Sequence, residues 1–127
     1  MLKGIEIPPY VSEFFDAYLE AALWSSYADD TMPMDKKYSL EDFAPEHLTK
    51  MLVDCLLFYT DNNLLELPDH LQRSAGHDFW LTRNGHGAGF WDGDWPESQA
   101  TLLTTAAHHF GPDELYIGDD GQIYGTK

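Results

Sequence analysis

Apolar residues recur along this chain with two different periods. In VSEFFDAYLEAALWSSY, Val11, Phe14, Phe15, Tyr18 and Ala22 follow one another at three- and four-residue steps, the spacing that lines one face of an α-helix. Glu13, Asp16 and Glu20 repeat on the other side, with no lysine or arginine at pairing distance along the same helix. Pro8-Pro9 just before it makes residues 1–10 an extended arm. From Pro45 onward, Leu48, Met51, Leu52, Cys55, Leu56 and Tyr59 fill the helical template without a gap, and proline suits the first helical position. Leu64, Leu65 and Leu67 extend the apolar run, and Pro68 can open a short helix that Ala75-Gly76 closes with glycine at its C-cap. A further helix carries Leu102, Leu103, Ala106 and Phe110 on one face before Gly111-Pro112 stops it. Ser39 with Asp42, and Asp94 with Glu97, stand in capping-box order ahead of helical turns.

The second period is two. DFWLTR alternates Phe79 and Leu81 with Trp80 and Thr82, and Asn84-Gly85 supplies the positive φ angles of a type I′ hairpin turn. Counting outward from that turn pairs Arg83 with His86, Trp80 with Gly89 and Phe79 with Phe90, so bare glycines make room for large rings. LYIGDDGQIYGT reads as a second hairpin turning at Asp120-Gly121. The expected architecture is therefore α+β, one domain over residues 1–127. Three main helices pack on a small antiparallel sheet built from hairpins 78–92 and 115–125.

Charge changes the picture most. The 22 acidic residues outweigh seven basic ones, leaving a formal net charge of −15. Direct binding to nucleic acid or to an anionic membrane requires clustered lysine or arginine, and this chain has only Arg73, Arg83 and scattered lysines. A field of this sign attracts basic partners instead. The lone Cys55 sits in the apolar run VDCLLF as a core residue, which excludes an internal disulfide and fits a reducing compartment. No stretch approaches the ~20 apolar residues of a membrane span, and MLKGIEIPPY lacks a signal-peptide core, so the expected location is cytoplasmic.

Specific chemistry is sparse. His77, Asp78, His86, Asp92 and Asp94 could converge on a metal for hydrolysis, yet the hairpin register separates His77 from His86, and paired zinc-ligand spacings are missing. DGDWPE has oxygen ligands without a calcium-loop order, His108-His109 suits a helix C-terminus, and no serine or cysteine sits in a nucleophile motif. No cofactor is expected. What remains is the row Glu13, Asp16 and Glu20 with Asp29 and Asp30, and the hairpin tip Arg83, Asn84 and His86, an arginine and histidine beside tryptophans as in protein-binding hot spots.

The block AGHDFWLTRNGHGAGFWD at 75–92, with EAALWSS at 20–26, VDCLLF at 53–58 and LYIGDDGQIYG at 115–125, resembles a family of small acidic proteins of bacteriophages, prophages and plasmids. The resemblance spans nearly the whole chain and implies a mobile genetic element rather than a reaction. That origin, taken together with the charge, makes the expected function that of a non-enzymatic protein acting in the host cytoplasm on a basic, nucleic-acid-binding host factor of restriction or CRISPR-type defence, its carboxylates standing where phosphates would. A metal-assisted hydrolase and an accessory or structural phage protein are the alternatives.

Overall fold

The computed structural model describes residues 2–29, 31–86, 89–91 and 95–127. Helices α1 (Ser12–Ser25), α2 (Pro45–Asp61), α3 (Asp69–Arg83) and α4 (Glu97–His109) precede an antiparallel hairpin of β1 (Leu115–Ile117) and β2 (Ile123–Gly125). The α+β class holds, with four α-helices among the described residues and a two-stranded sheet.

α1 occupies the middle of the core. Its predicted stripe is buried, and so are Ala17, Leu19, Ala21 and Leu23, because α3 crosses it closely. Gly76 permits that crossing: a Cβ there would stand 1.9 Å from the Phe14 carbonyl oxygen. α2 begins with Pro45 at its first turn, as its sequence implies, and buries Leu48, Met51, Leu52, Cys55, Phe58 and Tyr59. Phe58 rather than Leu56 reaches the centre, where its ring stacks on Phe79 with centroids 3.9 Å apart.

The first expected hairpin is absent, and the helix expected to close at Gly76 continues to Arg83. Residues 79–83 are all buried, so their alternation carries no inside and outside, and a short continuous apolar run suits either element. The informative pattern is Gln72, Ala75, Gly76, Phe79 and Arg83, a three- and four-residue spacing that faces α1 and α2. Asn84-Gly85 ends this helix instead of turning a hairpin. Gly85 takes φ +74°, its N–H donates to the Thr82 carbonyl at 3.1 Å, and the His86 N–H donates to the Leu81 carbonyl at 3.0 Å. This is a Schellman closure, which makes the same demand for positive φ as a hairpin turn. Trp80 accordingly lies against the edge of Tyr18 (centroids 5.3 Å apart) and not over Gly89. Gly89 instead faces Thr82, whose Oγ1 accepts the Phe90 N–H at 3.2 Å. Gly87, Ala88 and residues 92–94 of the expected return strand lie outside the described residues.

α4 starts after Pro96, which offers no side-chain cap; Asp94 of the expected capping box is outside the described residues. Its buried face is Ala100, Leu103, Thr104 and Ala107, leaving Leu102 69% exposed, so the stripe expected through Leu102 and Ala106 is rotated. Gly111, at φ +74°, ends the helix with its N–H on the His108 carbonyl. The second hairpin has its expected extent, pairing Leu115 with Gly125 and Ile117 with Ile123 around the loop 118–122, where Gly121 has φ +81°. Ile123 is buried and its carbonyl accepts the Ala44 N–H at 2.9 Å, docking the hairpin on the start of α2. Ser39 and Asp42 form the expected capping box. No helix among the described residues is long and apolar enough to cross a membrane.

Candidate functional site: an acidic helix and the cleft at its end

Glu13, Asp16 and Glu20 lie on α1, but the row has a basic partner after all. Arg73 of α3 crosses it, paired with Glu20 and, at 3.7 Å, with Glu13. The expectation of no pairing considered one helix only, and Arg73 is 53 residues from Glu20. The hydrogen bond to Glu20 outweighs desolvation and holds the Arg73 pKa above its ordinary value. Asp16 is raised, first by desolvation, which outweighs the attraction of Arg73. Asp29 is exposed and folds back on its own loop, accepting the Thr31 N–H and Oγ1–H at 2.8 and 2.9 Å and the Met32 N–H at 3.1 Å. These bonds, led by that from the Thr31 N–H, lower its pKa. Asp30 lies outside the described residues.

The expected tip Arg83, Asn84, His86 is not a tip. Arg83 is buried, which removes it from any partner-binding surface. Its guanidinium donates to Tyr18 Oη and Asp54 Oδ2, both at 2.9 Å, and to the carbonyls of Gly111 and Phe110 at 2.8 and 3.2 Å. The rings of Phe79 and Phe110 flank it at 5.6 and 5.8 Å. A cation at the C-terminal end of α4 is also favoured by that helix's dipole. Burial opposes the charge most strongly, but Tyr18 and Asp54 together outweigh it and keep the Arg83 pKa raised. Burial likewise pushes the Tyr18 hydroxyl and the Cys55 thiol well up, so Cys55 stays a protonated core residue.

Asn84 and His86 do reach a surface feature. They line a cleft of about 310 Å³ together with Ser25, Ser26 and Tyr27 from the end of α1 and the segment Pro112–Leu115. The Trp80 indole forms its inner wall and donates its Nε1–H to Ser25 Oγ at 2.8 Å. Asn84 joins the two sides: its Nδ2 donates to the Trp80 carbonyl, and its Oδ1 accepts the Asp113 N–H at 2.8 Å.

Behind this cleft lies a buried pair with no counterpart in local spacing. His47 Nε2 is 2.8 Å from Asp113 Oδ2, across 66 residues of sequence. Asp113 Oδ1 accepts the Lys127 N–H, and Gly125 packs so closely that a Cβ there would lie 2.2 Å from both side chains. The pair ties α2, the segment after α4 and the chain end together. Two far-apart polar residues give sequence reasoning no signal.

For metal chemistry, His77 Nδ1 is 3.1 Å from Asp78 Oδ1, Asp78 Oδ2 accepts the Trp95 Nε1–H at 2.8 Å, and His77 stacks on Trp24. Asp92 and Asp94 lie outside the described residues, among which no group of three or more His, Cys, Asp or Glu could hold a metal ion. His108 and His109 occupy the last turn of α4. Comparison with protein-family models, curated proteins and solved structures gives no match.

Proposed function

We propose that the protein is an acidic binding protein of phage or prophage origin. In this reading it occupies the basic nucleic-acid-binding surface of a host factor, such as a restriction or CRISPR-type defence component, in the host cytoplasm. The observation that carries the reading is how one-sided the charge is. The chain has only two arginines, and both are committed to its own carboxylates, Arg73 to Glu13 and Glu20, and Arg83 to Asp54. Five lysines are left to offset the other 19 of the 22 acidic residues. Unbalanced carboxylates steer a basic surface toward the protein and oppose competing polyanions.

The row on α1 supports the same reading in a modified form. Of the three carboxylates, Arg73 holds Glu13 and Glu20 in place, and the face stays net negative. The experiment is capture of a nucleic-acid-binding factor from host lysate at low salt, repeated near 1 M salt, where the screening length falls to about 3 Å. Wild-type protein is expected to retain the factor only at low salt. Replacing Glu13, Asp16, Glu20 and Asp29 by their amides is expected to weaken retention more than neutralising the same number of exposed acids elsewhere, Asp61, Glu66, Asp69 and Asp119. Equal effects from the two sets, or capture indifferent to salt, would contradict the proposal.

A further inference from the structure

We propose that the cleft between the ends of α1 and α3 is an anchor pocket for one arginine side chain of a basic partner. The inference rests on the proposed function for its partner and on the cleft's own geometry for its chemistry.

Two helix C-termini converge on this cleft. Ser25 and Ser26 end α1, Asn84 and His86 follow the end of α3, and all four line it. A helix C-terminus carries roughly half an elementary negative charge, so both poles favour a cation in the same space. The two ends differ in one respect. The carbonyls of α3 are closed by the N–H groups of Gly85 and His86 and by Asn84 Nδ2. At α1, Ser26 turns directly into extended backbone (φ −106°, ψ 154°), and among the described residues its N–H makes no closing bond to the helix. The Ser26 carbonyl accepts the Met34 N–H at 2.8 Å, and a cation would answer the negative pole at this end of α1, which has no glycine closure of the α3 kind.

The rest of the lining suits an arginine in particular. Glu114 adds a full negative charge, and its backbone is fixed by Thr126, whose Oγ1 accepts the Glu114 N–H and whose N–H donates to the Glu114 carbonyl, both at 3.0 Å. Tyr27, 57% exposed, offers a ring face for a planar guanidinium. Pro112 and Leu115 offer apolar surface for the aliphatic stem. Among the described residues, no lysine or arginine lines the cleft. A guanidinium presents five donors in a fixed fork, which matches a carboxylate and the hydroxyl oxygens of Ser25 and Ser26 better than a single ammonium does.

The test titrates the full chain, labelled with ¹⁵N, with N-acetyl-arginine-N-methylamide, its lysine counterpart and its neutral citrulline isostere. The arginine probe is expected to move the Trp80 indole N–H and the His86 backbone N–H with saturation. The lysine probe should bind more weakly and the citrulline probe should leave both signals in place. Glu114→Gln, at an exposed position, should weaken the arginine probe by about three- to fivefold, and His86→Lys should abolish the response. Equal shifts from citrulline or from lysine would overturn the assignment. So would shifts spread over Asp119 and Asp120, or indifference to Glu114→Gln. Saturating probe binding without any captured host factor would leave the pocket standing and remove the proposed function. Salt-dependent capture with no probe binding would do the reverse.

Discussion

Adding one methyl group at Gly76 tests the helix crossing at the centre of the fold. The Cβ of Gly76→Ala would stand 1.9 Å from the Phe14 carbonyl oxygen and 2.8 Å from its carbon. A relaxed carbon–oxygen contact is about 3.3–3.6 Å, so α1 and α3 must separate by roughly 1.5 Å along that line. The obstruction is main chain, which no rotamer change can move aside. Overpacking costs about 1–3 kcal/mol, and a gap of this size also forfeits a quarter to a half or more of the dispersion energy of neighbouring contacts. Against this, replacing glycine by alanine inside a helix gains about 0.8–1.0 kcal/mol. The net expectation is a loss of about 2 kcal/mol, or roughly 6–10 °C in melting temperature for a chain of this size. Thermal and urea melts followed by circular dichroism measure it. Thr105→Ala, exposed on α4, serves as the control and should be neutral or slightly stabilising. A midpoint for Gly76→Ala that is unchanged or raised would refute the crossing.

Other perturbations probe separate parts of the account. Arg83→Met should cost about 3–5 kcal/mol, because it strands Asp54, Tyr18 Oη and two carbonyls; urea unfolding that moves by less than 1 kcal/mol would make Arg83 a spectator. Gly89→Val should lower the melting midpoint, since Gly89 takes φ +138° and a Cβ there would lie 2.3 Å from Thr82 Oγ1; an unchanged midpoint would count against that contact. Thr104→Val should raise the midpoint, since the Thr104 hydroxyl is buried without a hydrogen-bond partner among the described residues; a fall would show that the hydroxyl is satisfied. Asp16 and Asp29 should respond to pH with opposite signs. The raised pKa of Asp16 burdens the folded state above that pKa and not below about pH 4, so Asp16→Asn should raise the urea midpoint at pH 7 but not at pH 3. The lowered pKa of Asp29 contributes stability that is present above about pH 4 and lost as pH falls through the folded value, so Asp29→Asn should flatten the acid limb. Matching pH profiles for the two variants would contradict both assignments.

Elements whose signals are local and one-sided were readable from the chain. Pro45 opening α2, Ser39 with Asp42 in a capping box, Gly111 ending α4 and the hairpin around Gly121 each depend on a few adjacent residues. The end of α3 reads as a strand in the sequence because its last five residues are buried on every side, which erases the amphipathic contrast that separates period two from period 3.6. Asn84-Gly85 suits either element, since a type I′ turn and a Schellman closure both select a residue with positive φ. In the candidate site, the acids of α1 were visible, whereas Arg73 beside them and the His47–Asp113 pair were not. Those contacts join residues 53 and 66 positions apart, and they depend on helix packing that no local pattern encodes.

The claim that this protein acts by occupying a nucleic-acid-binding surface is tested most directly by competition. With a captured host factor, the affinity for this protein is measured at fixed low salt as unlabelled duplex is added. Mutually exclusive binding requires the apparent affinity to fall in proportion to the bound duplex, with no complex containing all three components. An affinity that stays constant as the factor fills with duplex, or a stable ternary complex, would contradict the account.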